Sequence, residues 1–313
     1  MILDTFCKIR ETRVLPTLST VSRLEHALDR RTEGVDTRGM TDEAAVLRYY
    51  AHDDSDLVPV IMHALAAAGR DVENLSVDDL AGIDEFHALG RSATIALGEL
   101  AGIGEGDRVA DLGAGIGGPA RYLASRLGAQ VTAVEPTTRF RRACEELTRR
   151  VELADRITTV EGTATATGLE DGSMDVVWMQ AVALSISDKQ AMAREVRRVL
   201  RPGGRLAFFD FTSGPGGDPY FPALWADGPE TDFVVEADAL RVTFEAAALE
   251  PQVWNEHEAA LKEISRHEFQ PQVDPGVVNL GVLIPGFPER IGNAGRSIAE
   301  GRLRLLQAVL RAA

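Results

Sequence analysis

Between positions 41 and 102 apolar residues recur three and four places apart, and glycines punctuate the ends of each stretch. EAAVLRYY, DLVPVIMHALAAAG, the short SVDDLAG and DEFHALGRSATIALGELAG therefore read as helices. From 107 the pattern changes. DRVADLG, AQVTAVE, RITTVEG, MDVVWMQ and GGRLAFFDF are short apolar runs of strand length, separated by the amphipathic blocks GGPARYLASRLG, TRFRRACEELTRRVEL and DKQAMAREVRRVL. Strands alternating with helices of this length predict βαβ units and a parallel sheet. After 212 the regularity fades. A Gly/Pro-rich loop, TSGPGGDPYFPALWADGP, precedes a helix in EADALRVTFEAAAL and a strand in EPQVWNEH. A helical cap is expected over 258–268 and 286–300, and RLRLLQAVLRA either closes the sheet or forms a last helix.

Residues 1–39 are charged and mixed, with RLEHALDRR the one plausible helix, whereas Thr41 followed by Asp42 and Glu43 makes a good helix start. The expected organisation is an N-terminal extension (1–39), a helical cap (40–102) and a core (103–313) carrying a cap insertion around 258–300. The extension is also the candidate arm of a homodimer.

Composition narrows the function by exclusion. The 313 residues carry a formal net charge of -15, so a diffuse basic footprint for nucleic acid or an anionic membrane is absent. Only Cys7 and Cys144 occur, far apart, which leaves no zinc spacing and no disulfide framework and suits a reducing cytoplasm. His and Cys never cluster at metal-ligand spacing. No apolar run approaches the roughly 18 residues of a membrane span, and acid and base within MILDTFCKIRETRVL argue against a signal peptide.

The chemistry begins at VADLGAGIGGPARYL, a strand, a glycine turn and a helix. Gly113, Gly115 and Gly118 satisfy the dinucleotide pattern, and Glu135 ends the next strand about twenty residues on, where a carboxylate grips a ribose diol. Two details favour S-adenosylmethionine over NAD. Asp111, two residues before the first glycine, would repel a pyrophosphate yet hold the ammonium of an amino acid. The motif also follows about a hundred residues, whereas the NAD fold usually opens on it.

DLGAGIGG, VEP and LRPGGRLAFFD together resemble class I S-adenosylmethionine-dependent methyltransferases. DEFHALGRSAT, WMQ…ISDK, GPGGDPYFPALWA and IAEGRLRLLQAVLRA resemble the group of sarcosine and dimethylglycine N-methyltransferases and actinobacterial natural-product methyltransferases. The resemblance implies a doubly wound, mostly parallel seven-stranded α/β sheet, with helices on both faces and caps at both ends. It implies that Asp111, Gly113, Gly115 and Gly117 line the methionine end, that Glu135 takes the ribose, and that Pro136 touches the adenine. Thr163 and Ala164 stand where an acid usually meets the adenine amino group. Gln180 approaches the methionine, and His87 belongs to a segment folding over the cofactor.

One stretch departs from that group. After Gln180 the histidine commonly found is Ala181, and the nearby asparagine is Ser187. An already electrophilic sulfonium methyl chiefly needs its acceptor close and aligned, and a base matters only when the acceptor must lose a proton. The loop AVALSIS thus predicts a greasy acceptor. His87 and Asp210, which ends the fifth strand, are the candidate catalytic groups. His257 is a lesser one, and His52 and His63 read as surface or packing residues. Tyr50, Ala181, Leu184, Tyr220 and Trp225 are expected to line the substrate, with Tyr49, Phe221 and Phe287 as further cap aromatics. The expected activity is methyl transfer to a small-molecule acceptor of secondary metabolism, without a base from that loop. Alternatives are cofactor-arm cyclisation or a rearrangement on the same fold, an NAD-dependent oxidoreductase, and a non-catalytic binding protein.

Overall fold

The structure is a computed structural model that describes residues 45–46, 50, 55–260, 281 and 283–313. RLEHALDRR, His52, Tyr49 and most of EAAVLRYY and 258–268 lie outside the described residues. In chain order the main elements are α1 (Leu57–Ala67), α2 (Val77–Leu80), α3 (Gly90–Ala101), β1 (Arg108–Leu112), α4 (Gly118–Leu127), β2 (Gln130–Val134), α5 (Thr138–Arg150), β3 (Ile157–Val160) and β4 (Met174–Gln180). They continue with α6 (Lys189–Val199), β5 (Leu200–Ser213), α7 (Ala237–Ala246), β6 (Leu249–Glu256), α8 (Phe287–Ala299) and β7 (Leu303–Ala312).

The seven strands form one sheet in the order β3-β2-β1-β4-β5-β7-β6. Strands β1 to β5 pair in parallel, and β7 runs antiparallel between β5 and β6. RLRLLQAVLRA is therefore a strand, the first of the two forms its pattern allowed. Five parallel strands need cover on both faces, which is why MDVVWMQ reads as unbroken apolar sequence. Its side chains alternate between two cores. Val176 and Trp178 pack with Ala93, Leu97, Leu123 and Cys144 from α3, α4 and α5. Val177 and Met179 pack with Met192, Val196, Leu240 and Phe244 from α6 and α7.

Helix α6 shows how sequence sets an element that later matters. Asp188 caps it by accepting from the Ala191 N–H at 2.8 Å. Met192, Val196 and Val199 then fall on one buried stripe, and each such side chain contributes roughly 1.5–3 kcal/mol of burial. DEFHALG does not join the helix that its periodicity suggested. Leu89 adopts a left-handed backbone (φ 66°), and α3 starts only at Gly90. Residues 84–89 instead cross the carboxyl edge of the sheet. The chain leaves β1 toward β2 and β3, then returns to place β4 on the other flank, so the ends of β1 and β4 border a topological switch point, the usual ligand crevice of such sheets.

Candidate functional site

A cavity of about 480 Å³ opens at that switch point, within the ~300–1,000 Å³ common for small-molecule sites. Asp111, Gly113, Gly115, Glu135, Pro136, Thr163, Ala164 and Gln180 line one part of it. Asp111 is 2% exposed, and its Oδ2 has no hydrogen-bond partner among the described residues. Burial, reinforced by the charges of Glu135 and Glu85, pushes its pKa up to about 8. The Ala120 N–H and the charge of Arg121 pull the other way without offsetting the burial. Glu135 is better held: Oε2 accepts from the Gly115 N–H at 2.9 Å, and Oε1 accepts from the Thr137 N–H at 2.8 Å. Burial still raises its pKa. Thr163 Oγ1 lies 2.9 Å from Thr165 Oγ1, beside Ala164.

Two glycines serve packing. Gly117 is not among the cavity residues. With φ at 87° it turns toward α5, and a Cβ there would sit 2.5 Å from Cys144 Sγ. The glycine loop thus reaches the cavity through Gly113 and Gly115 and packs onto its neighbours through the next two. At Gly118 a Cβ would lie 2.0 Å from the Asp84 carbonyl oxygen. Only glycine lets residues 84–87 rest directly on the start of α4.

Those residues anchor a buried polar network that periodicity gave no sign of. Asp84 pairs with Arg121 at 3.0 Å, both side chains fully buried, and burial pushes Asp84 up to about 6 against the pull of Arg121. Glu85 binds Arg91 Nε and lies 2.8 Å from Thr94 Oγ1. Its Oε2 is 2.7 Å from His87 Nε2. His87 Nδ1 lies 3.2 Å from Gln180 Nε2, and Gln180 Oε1 accepts from Trp178 Nε1 at 3.2 Å. With the proton on Nε2, His87 donates to Glu85 and accepts from Gln180, so both ring nitrogens are engaged. His87 lines the cavity, but its contacts aim Gln180. The acid pair DE, with Arg91 and Thr94 three residues apart on α3, was the only sequence sign of this cluster.

Asp210 also borders the cavity, yet its oxygens point at backbone. Oδ2 accepts from the Val182 and Leu184 N–H groups at 3.0 and 3.2 Å, and Oδ1 from Phe211 N–H at 2.8 Å. Burial raises its pKa to about 7.

Of the expected substrate residues, Tyr50, Ala181, Leu184 and Trp225 line the cavity. The Tyr50 hydroxyl is 3.3 Å from Ser185 Oγ, and Trp225 Nε1 donates to Asp232 at 2.8 Å. Tyr220 does not line it. Its hydroxyl donates to Glu300 at 2.7 Å, and its ring lies between Arg296 and Arg302, 3.8 and 4.3 Å from their guanidinium carbons. A phenol with a carboxylate and two cations at the surface has no reason to enter an apolar chamber. Missed by the sequence reading were Phe211, Ile291 and Leu305, which join Phe287 in the apolar wall. The N–H of His257 donates to Leu305 O in the β7 pairing region, and His63 is exposed on α1. Among the described residues no group of His, Cys, Asp and Glu is arranged to hold a metal ion, and no helix is long and apolar enough to cross a membrane.

Residues 110–208 match the family described as a methyltransferase domain. The chain is 38% identical over 103 residues to the glycine/sarcosine/dimethylglycine N-methyltransferase of Actinopolyspora halophila, covering 33% of this chain and 18% of that protein. It is 31% identical over 180 residues to the 27-O-demethylrifamycin SV methyltransferase of Amycolatopsis mediterranei, covering 54% and 64%. The match therefore spans less than two thirds of either relative. The fold is shared with the [4+2]-cyclase SpnF (TM-score 0.59, 18% identity, 87% of this chain and 97% of that one). Residues 110–208 thus match a methyltransferase domain, and the chain is similar to sarcosine/dimethylglycine N-methyltransferases and to actinobacterial methyltransferases, with which it shares a Rossmann-like fold.

Proposed function

We propose that the protein transfers a methyl group from S-adenosylmethionine to a small, largely apolar acceptor, by alignment and without a base from the loop after β4. The observation that carries this reading is one continuous cavity with two chemistries. Its lining holds Asp111 and Glu135 as well as Leu184, Phe211, Trp225 and Phe287. Bound S-adenosylmethionine supplies a methyl group on a cationic sulfur, already electrophilic.

The chain's own residues do the rest. Asp111, buried and with Oδ2 unpartnered, fits the ammonium of the amino-acid arm. Glu135 is fixed by two N–H groups and keeps lone pairs for the ribose diol. Pro136, Thr163 and Ala164 border the adenine space, and Gln180, held by Trp178 and His87, faces the methionine arm. The apolar wall excludes water and holds the acceptor, and proximity of that kind supplies about 7–11 kcal/mol of a displacement barrier. Tyr50 and Phe86 on one side, and Ile284, Phe287 and Ile291 on the other, support cap roles for 40–102 and 258–300. The rifamycin relative supports a place in secondary metabolism, and two lone cysteines support a cytoplasmic setting.

A second reading keeps the cofactor but changes the reaction to arm cyclisation or a substrate rearrangement. The absence of any acid or base side chain over residues 181–187 favours it, as does the shared fold with a [4+2]-cyclase. Calorimetric titration with S-adenosylmethionine, S-adenosylhomocysteine and NAD tests both readings, with mass spectrometry of the incubated donor and a panel of neutral apolar alcohols, phenols and amines. S-adenosylhomocysteine formed only with an acceptor supports methyl transfer. Methylthioadenosine formed without one supports arm chemistry, and binding of NAD alone overturns both.

A further inference from the structure

The loop after β4 carries no ionisable side chain from 181 to 187, yet a carboxylate and an ammonium hold it from behind. Asp210, on β5, accepts from the Val182 and Leu184 N–H groups at 3.0 and 3.2 Å. Lys189, the first residue of α6, donates from Nζ to Ala183 O at 2.9 Å, to Phe233 O at 2.7 Å, and to Ile186 O. The remaining backbone is tied as well. Ala181 N–H donates to Phe209 O at 2.8 Å, and Phe233 N–H donates to Leu184 O at 3.0 Å. Ala181 takes a left-handed backbone (φ 58°), which a residue with a Cβ keeps only where its surroundings over-determine it. The loop's amides thus meet an anion and its carbonyls meet a cation, while Ala181 and Leu184 face the cavity.

We propose that Asp210 and Lys189 are paired positioning residues that stiffen the loop into the wall against which the acceptor is aligned. This rests on the methyl-transfer reading given above. Both groups spend their hydrogen bonds on backbone: the oxygens of Asp210 on the Val182, Leu184 and Phe211 N–H groups, and the Nζ of Lys189 on three carbonyls. Lys189 is not a cavity residue, so any effect of changing it passes through the loop or through Phe233 beside it. The arrangement also accounts for a wall of small apolar side chains that keeps one shape: its rigidity comes from charge-assisted hydrogen bonds behind it.

The test uses the full chain as Lys189→Met, Lys189→Arg and Asp210→Asn, with melting curves confirming that each variant folds. Amide hydrogen exchange of the peptide over 181–188 is read beside calorimetric binding of S-adenosylhomocysteine and fluorescence binding of Nile red, a neutral apolar dye. In Lys189→Met the loop amides exchange about tenfold faster and Nile red binds at least about fivefold more weakly, while S-adenosylhomocysteine affinity stays within about twofold. Lys189→Arg restores part of the loss, and Asp210→Asn speeds exchange at Val182 and Leu184 first. Unchanged exchange in Lys189→Met overturns the clamp. Equal weakening of both ligands overturns its acceptor-side role, as does failure of the wild-type protein to bind Nile red. If S-adenosylhomocysteine fails to bind the wild-type protein, the functional reading falls while the exchange comparison still judges the clamp.

Discussion

Asp111 is held protonated at neutral pH by its burial, and a ligand cation would reverse that. Its folded pKa stands at about 8, well above an ordinary carboxylate. Its contribution to stability is therefore complete below the ordinary carboxylate range and is lost as pH rises through about 8. Asp111→Asn removes the charge but keeps the shape. The ligand-free variant should gain ~2 kcal/mol near pH 8 and lose the decline that runs from the ordinary carboxylate range up to about pH 8, which melting curves from pH 5 to 9 would register. The same substitution should weaken S-adenosylmethionine by about 10- to 150-fold, the worth of a hydrogen bond to a charged group. A variant less stable at pH 8 than the parent would mean that Asp111 already has its cation. Binding should also carry a proton signature. A ligand ammonium demands the ionised form, so affinity should rise between pH 6 and pH 7.5 by up to about tenfold per unit. Titrations in buffers of different ionisation enthalpy would show net proton release, absent in Asp111→Asn.

At the scale of elements the least regular segment, residues 84–89, holds the site together. Gly118→Ala would drive a methyl group to 2.0 Å from the Asp84 carbonyl, and because both partners are backbone the segment must lift. The variant should lose about 1–3 kcal/mol of stability, and its hydrogen exchange should quicken over 84–89 and Gln180 while β6 and β7 stay protected. Glu85→Ala tests the same segment from its charge. It strips buried Arg91 and His87 of their shared partner and should cost about 3–5 kcal/mol, read by chemical denaturation. This contrast also explains what was legible. Val176, Val177, Trp178 and Met179 announce a doubly buried strand through their own pattern, and Asp111 and Glu135 sit at fixed distances from the glycines, so strand, loop and ribose acid could be read locally. Residues 84–87 read as helix because their apolar spacing fits one. What overrode that spacing is a close approach between Asp84 and Gly118 and a charge network whose links to Arg121 and Gln180 lie far along the chain. Tyr220 and Trp225 looked alike as cap aromatics for the same reason: only tertiary contacts put one among surface arginines and the other in the cavity.

The whole molecule adds an electrostatic bias that no single contact shows. The chain carries a net charge of -15, and Asp84, Asp111, Glu135, Asp188 and Asp210 all border the cavity. Asp84 is paired with Arg121 and Asp111 stays protonated below about pH 8, so the field that low-dielectric walls focus into the cleft comes from the other acids and the net charge. S-adenosylmethionine, with sulfonium, ammonium and carboxylate, carries one net positive charge, whereas S-adenosylhomocysteine carries none. The protein should therefore favour the donor over the product electrostatically, and the preference should depend on salt. At 0.1 M salt the screening length is about 10 Å, so the more distant charges drop out while the buried acids persist. Raising ionic strength from about 0.02 to 0.5 M should weaken the donor about threefold and leave S-adenosylhomocysteine nearly unchanged. The ratio of the two affinities, measured calorimetrically at fixed pH, isolates the charge because the two ligands share nearly every other contact. A ratio that stays flat across that range would mean that the carboxylates act only through direct contact and that the acidity of the whole chain does not discriminate donor from product. A falling ratio would mean that the acidity of the whole chain helps to draw the donor in and to release the product.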